Sequence, residues 1–380
     1  MPDYRRQPDY YTKKADSNLS GRHFFLPQAV DIAGSKPAFY YLSSPQQPGA
    51  QPACLHRLKP RGKPYHRMRR PEPEDDDRKK RWKFGQNFLI DETVIRQIAE
   101  DVAPRKNDWV IEIGPGAGSI TRRLAPQAHR VTAVEIDPKW VEHLKNKPDW
   151  GNLEVIQADA TRIDVEELLA RDPSRKPLVV GNLPYNRAAP ILFRFLPFIQ
   201  RFQNMNIMVQ YEVGKRICAQ PHTRNFGFLS VFIQNYATAE LLQKIGQDAF
   251  RPRPKVLSAT VRLTPLAQPK TTDPLFLRFV EIAFSQKRKK LSNSLLSFYR
   301  KDKVTEVLNG LGAAAPKHGP DGKPLARVDE NSRAEDLSVD QFVEAFRLLG
   351  PPPGVLAKPG QGIAIEDDLI GDTDSDEVDG

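Results

Sequence analysis

Short apolar segments recur at nearly even spacing through the middle of the chain, and helix-like segments separate them. Five of them follow one another at 108–114, 130–137, 153–159, 177–182 and 205–210. Strands that alternate with helices form a parallel sheet with helices on both faces, because each connection between parallel strands must cross the sheet. Two later segments, 241–245 and 255–266, predict a closing hairpin with an antiparallel strand. The sequence therefore predicts an α/β, Rossmann-like fold.

Composition divides the chain into four parts. Residues 1–80 are basic, rich in proline and without periodicity, which predicts a disordered extension that can also contact RNA phosphates. The α/β domain is expected over 81–268, and helical patterns beyond it predict a small C-terminal helical domain over 269–350. Residues 351–380 are rich in proline and glycine and then acidic, so a disordered tail is expected there.

Helix signals support this division. Asp91 precedes an apolar helical stripe and is expected to cap its first turn. Residues 275–284 and 291–299 have helical patterns, and Ser338 and Gln341 have the spacing of a capping box ahead of another apolar stripe. Helices are therefore expected at both ends of the ordered part of the chain.

The net charge of +10 favours a polyanionic partner, and nucleic acid before a membrane surface. Cys54 and Cys218 are far apart and belong to no Cys/His cluster, so no metal is expected and a reducing compartment fits. No apolar run approaches the roughly 18 residues of a membrane span. A soluble cytoplasmic monomer is expected.

A glycine-rich segment, EIGPGAG at 112–118, follows the first strand of the series. Glycines there allow a ligand to approach the backbone, although many α/β proteins use such a turn only structurally. Glu135 and Asp159 end the next two strands, where carboxylates can accept the hydroxyls of a ribose and the amino group of an adenine. Either acid alone could be a solvated strand end. Together they favour S-adenosylmethionine over NAD, because Pro115 departs from the pyrophosphate-binding GxGxxG pattern.

The fourth segment ends in Asn182, Leu183, Pro184 and Tyr185, which alone could be only a turn. Beside a methyl donor, however, these groups suit transfer to an exocyclic amine. An amide oxygen and a backbone carbonyl can accept hydrogen bonds from the two N–H groups of an adenine N6. The proline fixes the direction of the carbonyl, and the tyrosine ring can stack on the base. Positioning rather than a strong base then carries the catalysis, and the base must leave its stack to enter.

These residues belong to a series that resembles the ribosomal RNA adenine dimethylases over roughly 83–348. Seven blocks agree in order: 83–91, 110–121, 134–137, 181–186, 227–232, 250–263 and 284–295. The resemblance implies dimethylation of N6 of two adjacent adenines near the 3′ end of small-subunit rRNA, within a pre-30S-type particle. It also implies cofactor contacts by Asn87, Leu89, Gly114, Glu135, Asp159 and Asn182, a catalytic loop over Asn182, Leu183, Pro184 and Tyr185, and stacking of the flipped adenine on Phe250.

The chain departs from the family's pattern at three places. Arg187, Ala188 and Ala189 stand where small hydroxyl residues are usual, Arg253 replaces a proline, and Tyr211 replaces a basic residue. None removes a group that the chemistry needs, but Arg187 adds a cation at the rim of the predicted pocket.

A run of cations, QKRKK at 286–290, is predicted to lie on a helix of the second domain. It could be an ordinary solvated face. Beside the predicted pocket, gripping of RNA phosphates is the favoured interpretation. The candidate RNA contacts are therefore Arg187, Lys287, Arg288, Lys289 and Lys290.

Three alternatives remain. The first is a large-subunit rRNA adenine methyltransferase of the antibiotic-resistance type. The second is a non-catalytic RNA- or DNA-binding assembly or transcription factor on the same fold. The third, a nicotinamide dehydrogenase, leaves the segment 182–185 unexplained.

Overall fold

The computed structural model describes residues 86–147, 149–286, 288–314 and 328–354. All of the predicted extension, the predicted tail beyond residue 354, and Lys287 of the basic run lie outside these residues. Within the described parts of the chain, no helix is both long and apolar enough to cross a bilayer.

A seven-stranded sheet forms the centre of the structure. In chain order, the strands of the structure are β1 (Phe88–Leu89), β2 (Trp109–Ile113), β3 (Arg130–Glu135), β4 (Leu153–Gln157), β5 (Leu178–Asn182), β6 (Asn204–Gln210), β7 (Ala237–Ile245), β8 (Phe250–Arg251) and β9 (Ser258–Pro265). The short strands β1 and β8 lie outside the central sheet. The order across the sheet is β4-β3-β2-β5-β6-β9-β7. Strands β2 to β6 run parallel, while β9 pairs antiparallel with both β6 and β7. The predicted parallel sheet and closing antiparallel hairpin are both confirmed.

Helices connect the strands and continue beyond the sheet. They are α1 (Glu92–Val102), α2 (Thr121–Leu124), α3 (Pro138–Lys145), α4 (Val165–Leu169), α5 (Ala188–Phe195), α6 (Tyr211–Ile217), α7 (Phe228–Tyr236), α8 (Phe276–Phe284), α9 (Leu291–Leu295), α10 (Lys301–Ala314) and α11 (Val339–Leu349). Short 3₁₀ turns occupy Leu196–Arg201, Gln247–Ala249 and Ala334–Asp336. Asp91 caps α1 by accepting from the N–H groups of Thr93 and Val94, and Ser338 and Gln341 form the expected capping box on α11.

The strands of the sheet are apolar because both of its faces are covered. All five residues of β2 are buried, including Trp109, whose indole N–H donates to Thr132 Oγ1 at 2.9 Å. The same apolar core continues into the C-terminal helices, where Phe279 and Phe342 are buried. Phe226 and Phe284 join the two regions, with ring centroids 6.5 Å apart.

The basic run does not lie on a helix, which corrects the prediction. Helix α8 ends at Phe284, residues 285, 286, 288 and 289 form turns and bends, and Lys290 is the extended N-cap of α9. Like charges at helical spacing repel one another, so a run of cations is a poor helix interior. Helix α9 is also shorter than predicted, since it ends at Leu295.

A short two-stranded ribbon lies beside the sheet. Strand β1 pairs antiparallel with β8, with Phe88 opposite Arg251 and Leu89 opposite Phe250. The N–H of Ile90 also donates to the Ala249 carbonyl at 2.8 Å. The ribbon therefore fixes the segment before α1 next to the segment that follows β7.

Candidate active site

A cavity of about 310 Å³ opens at the carboxyl ends of the parallel strands. Ligands of open α/β sheets bind at this edge, where the strand order reverses on either side of β2 and β5. The cavity brings together all the residues that the sequence predicts for the cofactor and for catalysis. Its lining includes Asn87, Leu89, Gly114, Glu135, Asp159, Asn182, Leu183, Pro184, Tyr185 and Arg187.

The glycine-rich loop forms the floor of the cavity after β2. Gly116 has a φ of +53°, and a Cβ there would lie 3.0 Å from the ring of Phe88. Gly118 has a φ of +84°, and a Cβ there would lie 2.7 Å from the ring of Trp150. Side chains at these positions would combine a strained backbone with a steric clash. The glycines are therefore required by the turn itself and by its close packing against Phe88 and Trp150.

Glu135 ends β3 and is held by two backbone donors. Its Oε2 accepts the N–H of Gly116 at 3.0 Å, and its Oε1 accepts the N–H of Asp137 at 2.9 Å. Burial raises the pKa of this carboxyl, while the backbone donors act in the opposite direction. Each oxygen keeps a free lone pair, so the fixed carboxylate can accept hydroxyl groups of a ligand.

Asp159 follows β4 and is half-buried at the cavity wall. Its Oδ1 accepts the N–H of Thr161 at 2.8 Å and the hydroxyl of Thr161 at 2.7 Å. Burial acts to raise the pKa of this carboxyl, but the Thr161 hydrogen bonds and the charges of Arg187 and Arg162 together lower it. Asp159 therefore stays ionised and can accept an amino group.

Glu112 is a buried carboxyl in the cavity wall to which the sequence assigned no role. It is 1% exposed, and its Oε2 accepts the hydroxyl of Thr121 at 2.6 Å. Burial raises the pKa of Glu112 to about 7, and the nearby charge of Glu135 contributes in the same direction. The available signal was its place at the start of EIGPGAG, inside an otherwise apolar strand.

Asn182 is the last residue of β5 and faces the cavity. Its Nδ2 donates to the carbonyl of Asn87 at 3.0 Å, which fixes the orientation of the side-chain amide and joins the loop to the segment before α1. The amide oxygen is the group that can accept an N–H bond from a substrate.

The Leu183 carbonyl is the backbone acceptor best suited to a hydrogen bond from a second N–H group of a substrate amine. The Pro184 carbonyl already accepts the N–H of Arg187 at 2.8 Å, within the turn. No hydrogen bond to the Leu183 carbonyl occurs among the described residues, while the N–H of Leu183 donates to Met208 O at 3.0 Å. The Leu183 carbonyl is part of the amide bond to Pro184, so the proline restricts its direction.

Tyr185 is half-buried, and its hydroxyl lies 2.6 Å from Ser258 Oγ on β9. Burial raises the pKa of the phenol, against the effect of the Ser258 hydrogen bond. The hydroxyl is therefore a fixed neutral group, and the ring is held against the cavity wall.

The predicted RNA contacts are dispersed. Arg187 is exposed at the cavity rim, and Arg288 and Lys289 are exposed in the turn after α8. Lys290 donates to Asn331 Oδ1 at 2.6 Å. Phe250 is only 3% exposed and packs with Leu89, so it does not line the cavity in this conformation. Its stacking role stays a prediction.

Three features of this sheet edge define the class of S-adenosylmethionine-dependent methyltransferases. They are a glycine loop after β2, acids at the ends of the next two strands, β3 and β4, and a polar loop after β5. Sequence comparison specifies the family. The model for "Ribosomal RNA adenine dimethylase" matches residues 77–349, and the chain belongs to that family.

Individual relatives agree with this assignment. The chain is 36% identical over 264 residues to a ribosomal RNA small subunit methyltransferase A of Alkaliphilus metalliredigens, covering 68% of this chain and 88% of the relative. It resembles the crystal structure of the 23S rRNA methyltransferase ErmE at a TM-score of 0.51 and 27% identity, covering 69% and 99% of the two chains. A dimethyladenosine transferase from Plasmodium falciparum shares the fold, with a TM-score of 0.54, 22% identity and coverage of 68% and 96%.

The cavity fits S-adenosylmethionine. Glu135 can hold the ribose hydroxyls and Asp159 the adenine amino group, while the backbone at Gly114 and Gly116 lines the rest of the cavity. Glu112 offers a further carboxyl for a cationic group. When bound, this cofactor supplies an electrophilic methyl group on a sulfonium. Among the described residues, no group of three or more His, Cys, Asp or Glu side chains is arranged to hold a metal ion.

Proposed function

We propose that this protein dimethylates N6 of two adjacent adenines near the 3′ end of small-subunit rRNA. The observation that carries the proposal is the pairing of Asn182 Oδ1 with the Leu183 carbonyl at the end of β5, beside the cofactor residues. Two acceptors on adjacent residues match the two N–H bonds of an exocyclic amine. The name of the Alkaliphilus metalliredigens relative supports the choice of the small subunit.

In this mechanism the loop orients the nitrogen and does not deprotonate it. The two acceptors hold the N6 lone pair toward the methyl group, and hydrogen bonds to both N–H bonds favour a more tetrahedral nitrogen. Tyr185 is tied to Ser258 and has a raised pKa, so it serves as a wall or stacking surface and not as a base. The methylated amine is acidic enough to release its proton to water. Catalysis then depends on positioning.

Substrate entry requires an unstacked base, since the acceptors lie inside the cavity. The exposed Arg187 at the rim is proposed to contact the phosphate backbone next to that base, and the exposed Arg288, Lys289 and Lys290 are proposed to contact phosphates elsewhere on the RNA. We assign Lys287 to the same contact on sequence grounds. The protein is further proposed to act as a cytoplasmic monomer on a pre-30S-type particle.

The test compares unmethylated small ribosomal subunits with large-subunit rRNA, using labelled methyl donor. Label is expected in small-subunit rRNA, at N6 of two adjacent adenines. Label only in large-subunit rRNA would instead support the resistance-type alternative, and no transfer to either would support a non-catalytic RNA-binding factor.

Replacement of Asn182 tests the mechanism. Asn182→Ala removes one of the two acceptors, and loss of a comparable positioned hydrogen-bonding group costs about 10²–10³-fold in kcat. Binding of small-subunit rRNA is expected to survive, because the proposed phosphate contacts are made by Arg187 and the basic run and not by Asn182. A variant with normal transfer would contradict the proposed role of the loop.

A further inference from the structure

Tyr211 lies at the same edge of the sheet as the catalytic loop, because β6, which it follows, pairs in parallel with β5. No step of the proposed mechanism uses it. It follows the last residue of β6, and its N–H donates to the Leu257 carbonyl at 2.9 Å. Gln210, the preceding residue, pairs with Ser258, whose hydroxyl contacts the hydroxyl of Tyr185. The backbone of Tyr211 is therefore one strand position from that of Ser258, which holds the loop in place.

Two lysines converge on the Tyr211 ring. The Lys244 ammonium lies 4.8 Å from the ring centroid, and the Lys215 ammonium lies 5.2 Å from it. Lys215 also pairs with Glu212 at 2.7 Å, whereas Lys244 is exposed and has no carboxylate partner among the described residues. Glu212 offsets the charge of Lys215, but no carboxylate among the described residues offsets the like charge of Lys244 at the same ring. The arrangement indicates a site for an anionic ligand.

The surface near the Tyr211 ring is also rich in positive charge. Strand β8 and the segment that follows it expose Arg251, Arg253 and Lys255, together with the apolar side chain of Val256, which is 37% exposed. Arg253 pairs with Asp248 at 3.2 Å, but both side chains are largely exposed, and such pairs exchange readily with a stronger anion. The surface around Tyr211 thus combines excess positive charge with flat apolar groups.

We propose that Tyr211, Lys244 and Lys215 form a platform for single-stranded RNA next to the target adenine. We call these three residues the Tyr211 platform. The base next to the target adenine stacks on the Tyr211 ring, and the Lys244 ammonium binds the phosphate of the stacked nucleotide. The proposal rests on the proposed function, because it assumes that the substrate is RNA whose target base enters the neighbouring cavity.

Stacking can compete with the contacts already on the ring. Base–aromatic stacking is stronger than a cation–π contact at an exposed site. A base can therefore replace one ammonium on a ring face, and the displaced ammonium of Lys244 then lies close to the phosphate of the same nucleotide. Basic grooves with aromatic stacking surfaces are the usual means of binding single strands, whereas a duplex offers no free base face.

The test measures equilibrium binding of a short single-stranded RNA with two adjacent adenines, and of the matching duplex. Tyr211→Ala is expected to weaken single-strand binding about five- to hundredfold and to leave duplex binding little changed. Tyr211→Phe keeps the ring and is expected to bind like the wild type. Lys244→Ala is expected to lower the salt dependence of single-strand binding by about one phosphate contact.

Lys139→Ala is the matched control, since Lys139 makes an exposed cation–π contact of the same kind with Trp140 at 5.4 Å. It should leave the salt dependence unchanged. Affinity for S-adenosylhomocysteine, measured on each variant, verifies the fold. Unchanged binding by Tyr211→Ala, weak binding by Tyr211→Phe, or an equal salt effect of Lys139→Ala would each overturn the platform. Because binding is measured without methyl transfer, failure of the proposed function is detected separately by the labelling assay.

Discussion

The free energy of unfolding of the protein should depend on pH through Glu112, and substitution of Glu112 should remove this dependence. Its carboxyl is buried and shares the cavity wall with Glu135, and these two effects raise its pKa from the ordinary 4.5 to about 7. In the unfolded chain the same group ionises near its ordinary value. The folded state therefore retains a proton that the unfolded state has lost between these two pH values.

The sign follows from linkage. Below pH 4.5 both states are protonated, and the folded state bears no charge penalty at this site. As the pH rises from 4.5 to about 7, the unfolded state is favoured by about 1.4 kcal/mol for each pH unit. The free energy of unfolding thus loses about 3 kcal/mol at this site, and the loss is complete above pH 7. That is a substantial fraction of a typical domain's stability.

Glu112→Gln keeps the shape of the side chain, and its amide oxygen can still accept the Thr121 hydroxyl. The assay is urea unfolding of wild type and variant between pH 4.5 and 8, because the difference between the two proteins cancels the titration of other groups. The wild type should lose about 3 kcal/mol relative to the variant over this range. Glu142→Gln, at an exposed position on α3, is the control and should show no such trend. A constant difference for Glu112→Gln, within about 0.5 kcal/mol, would refute a buried, proton-retaining carboxyl.

Two further predictions concern packing and capping. Gly181→Ala is expected to destabilise the fold by about 1–3 kcal/mol or more, because the added Cβ would lie 2.6 Å from the Ile113 carbonyl oxygen. Thermal unfolding measures this, and Gly151→Ala, with no atom within 4 Å of its Cβ, is the control. Asp91→Ala is expected to lower the free energy of urea unfolding by about 1 kcal/mol, since it removes the acceptor for two N–H groups of α1. An unchanged midpoint in either case would contradict the contact described.

Much of the fold was accessible from the sequence because it depends on local periodicity. Apolar segments at even spacing fixed the number of central strands, and acids at their ends had to meet at one edge of the sheet. Asp91 and the Ser338–Gln341 pair were predictable as caps for the same reason, since capping involves residues only two or three positions apart.

Other features depend on contacts between distant segments. Glu112 acquires its raised pKa from burial and from Glu135 on the neighbouring strand, which no local pattern encodes. The assignment of the free carbonyl to Leu183 follows from a turn hydrogen bond that engages Pro184. Phe250 is removed from the cavity by pairing with the segment before α1. The sequence also did not predict that the basic run lies outside a helix, because a run of cations identifies a charge cluster and does not specify a conformation.

The distribution of charge gives a reason why RNA would enter this site base first. Three carboxyls, Glu112, Glu135 and Asp159, line the cavity, whereas the chain as a whole carries a net charge of +10. Phosphates are attracted to the basic exterior and repelled by the acidic interior. A base is neutral and enters without the repulsion that a phosphate meets, and a cationic methyl donor is favoured by the same carboxyls. The acids proposed to hold the cofactor would therefore also help to exclude the phosphates of RNA from the reacting centre.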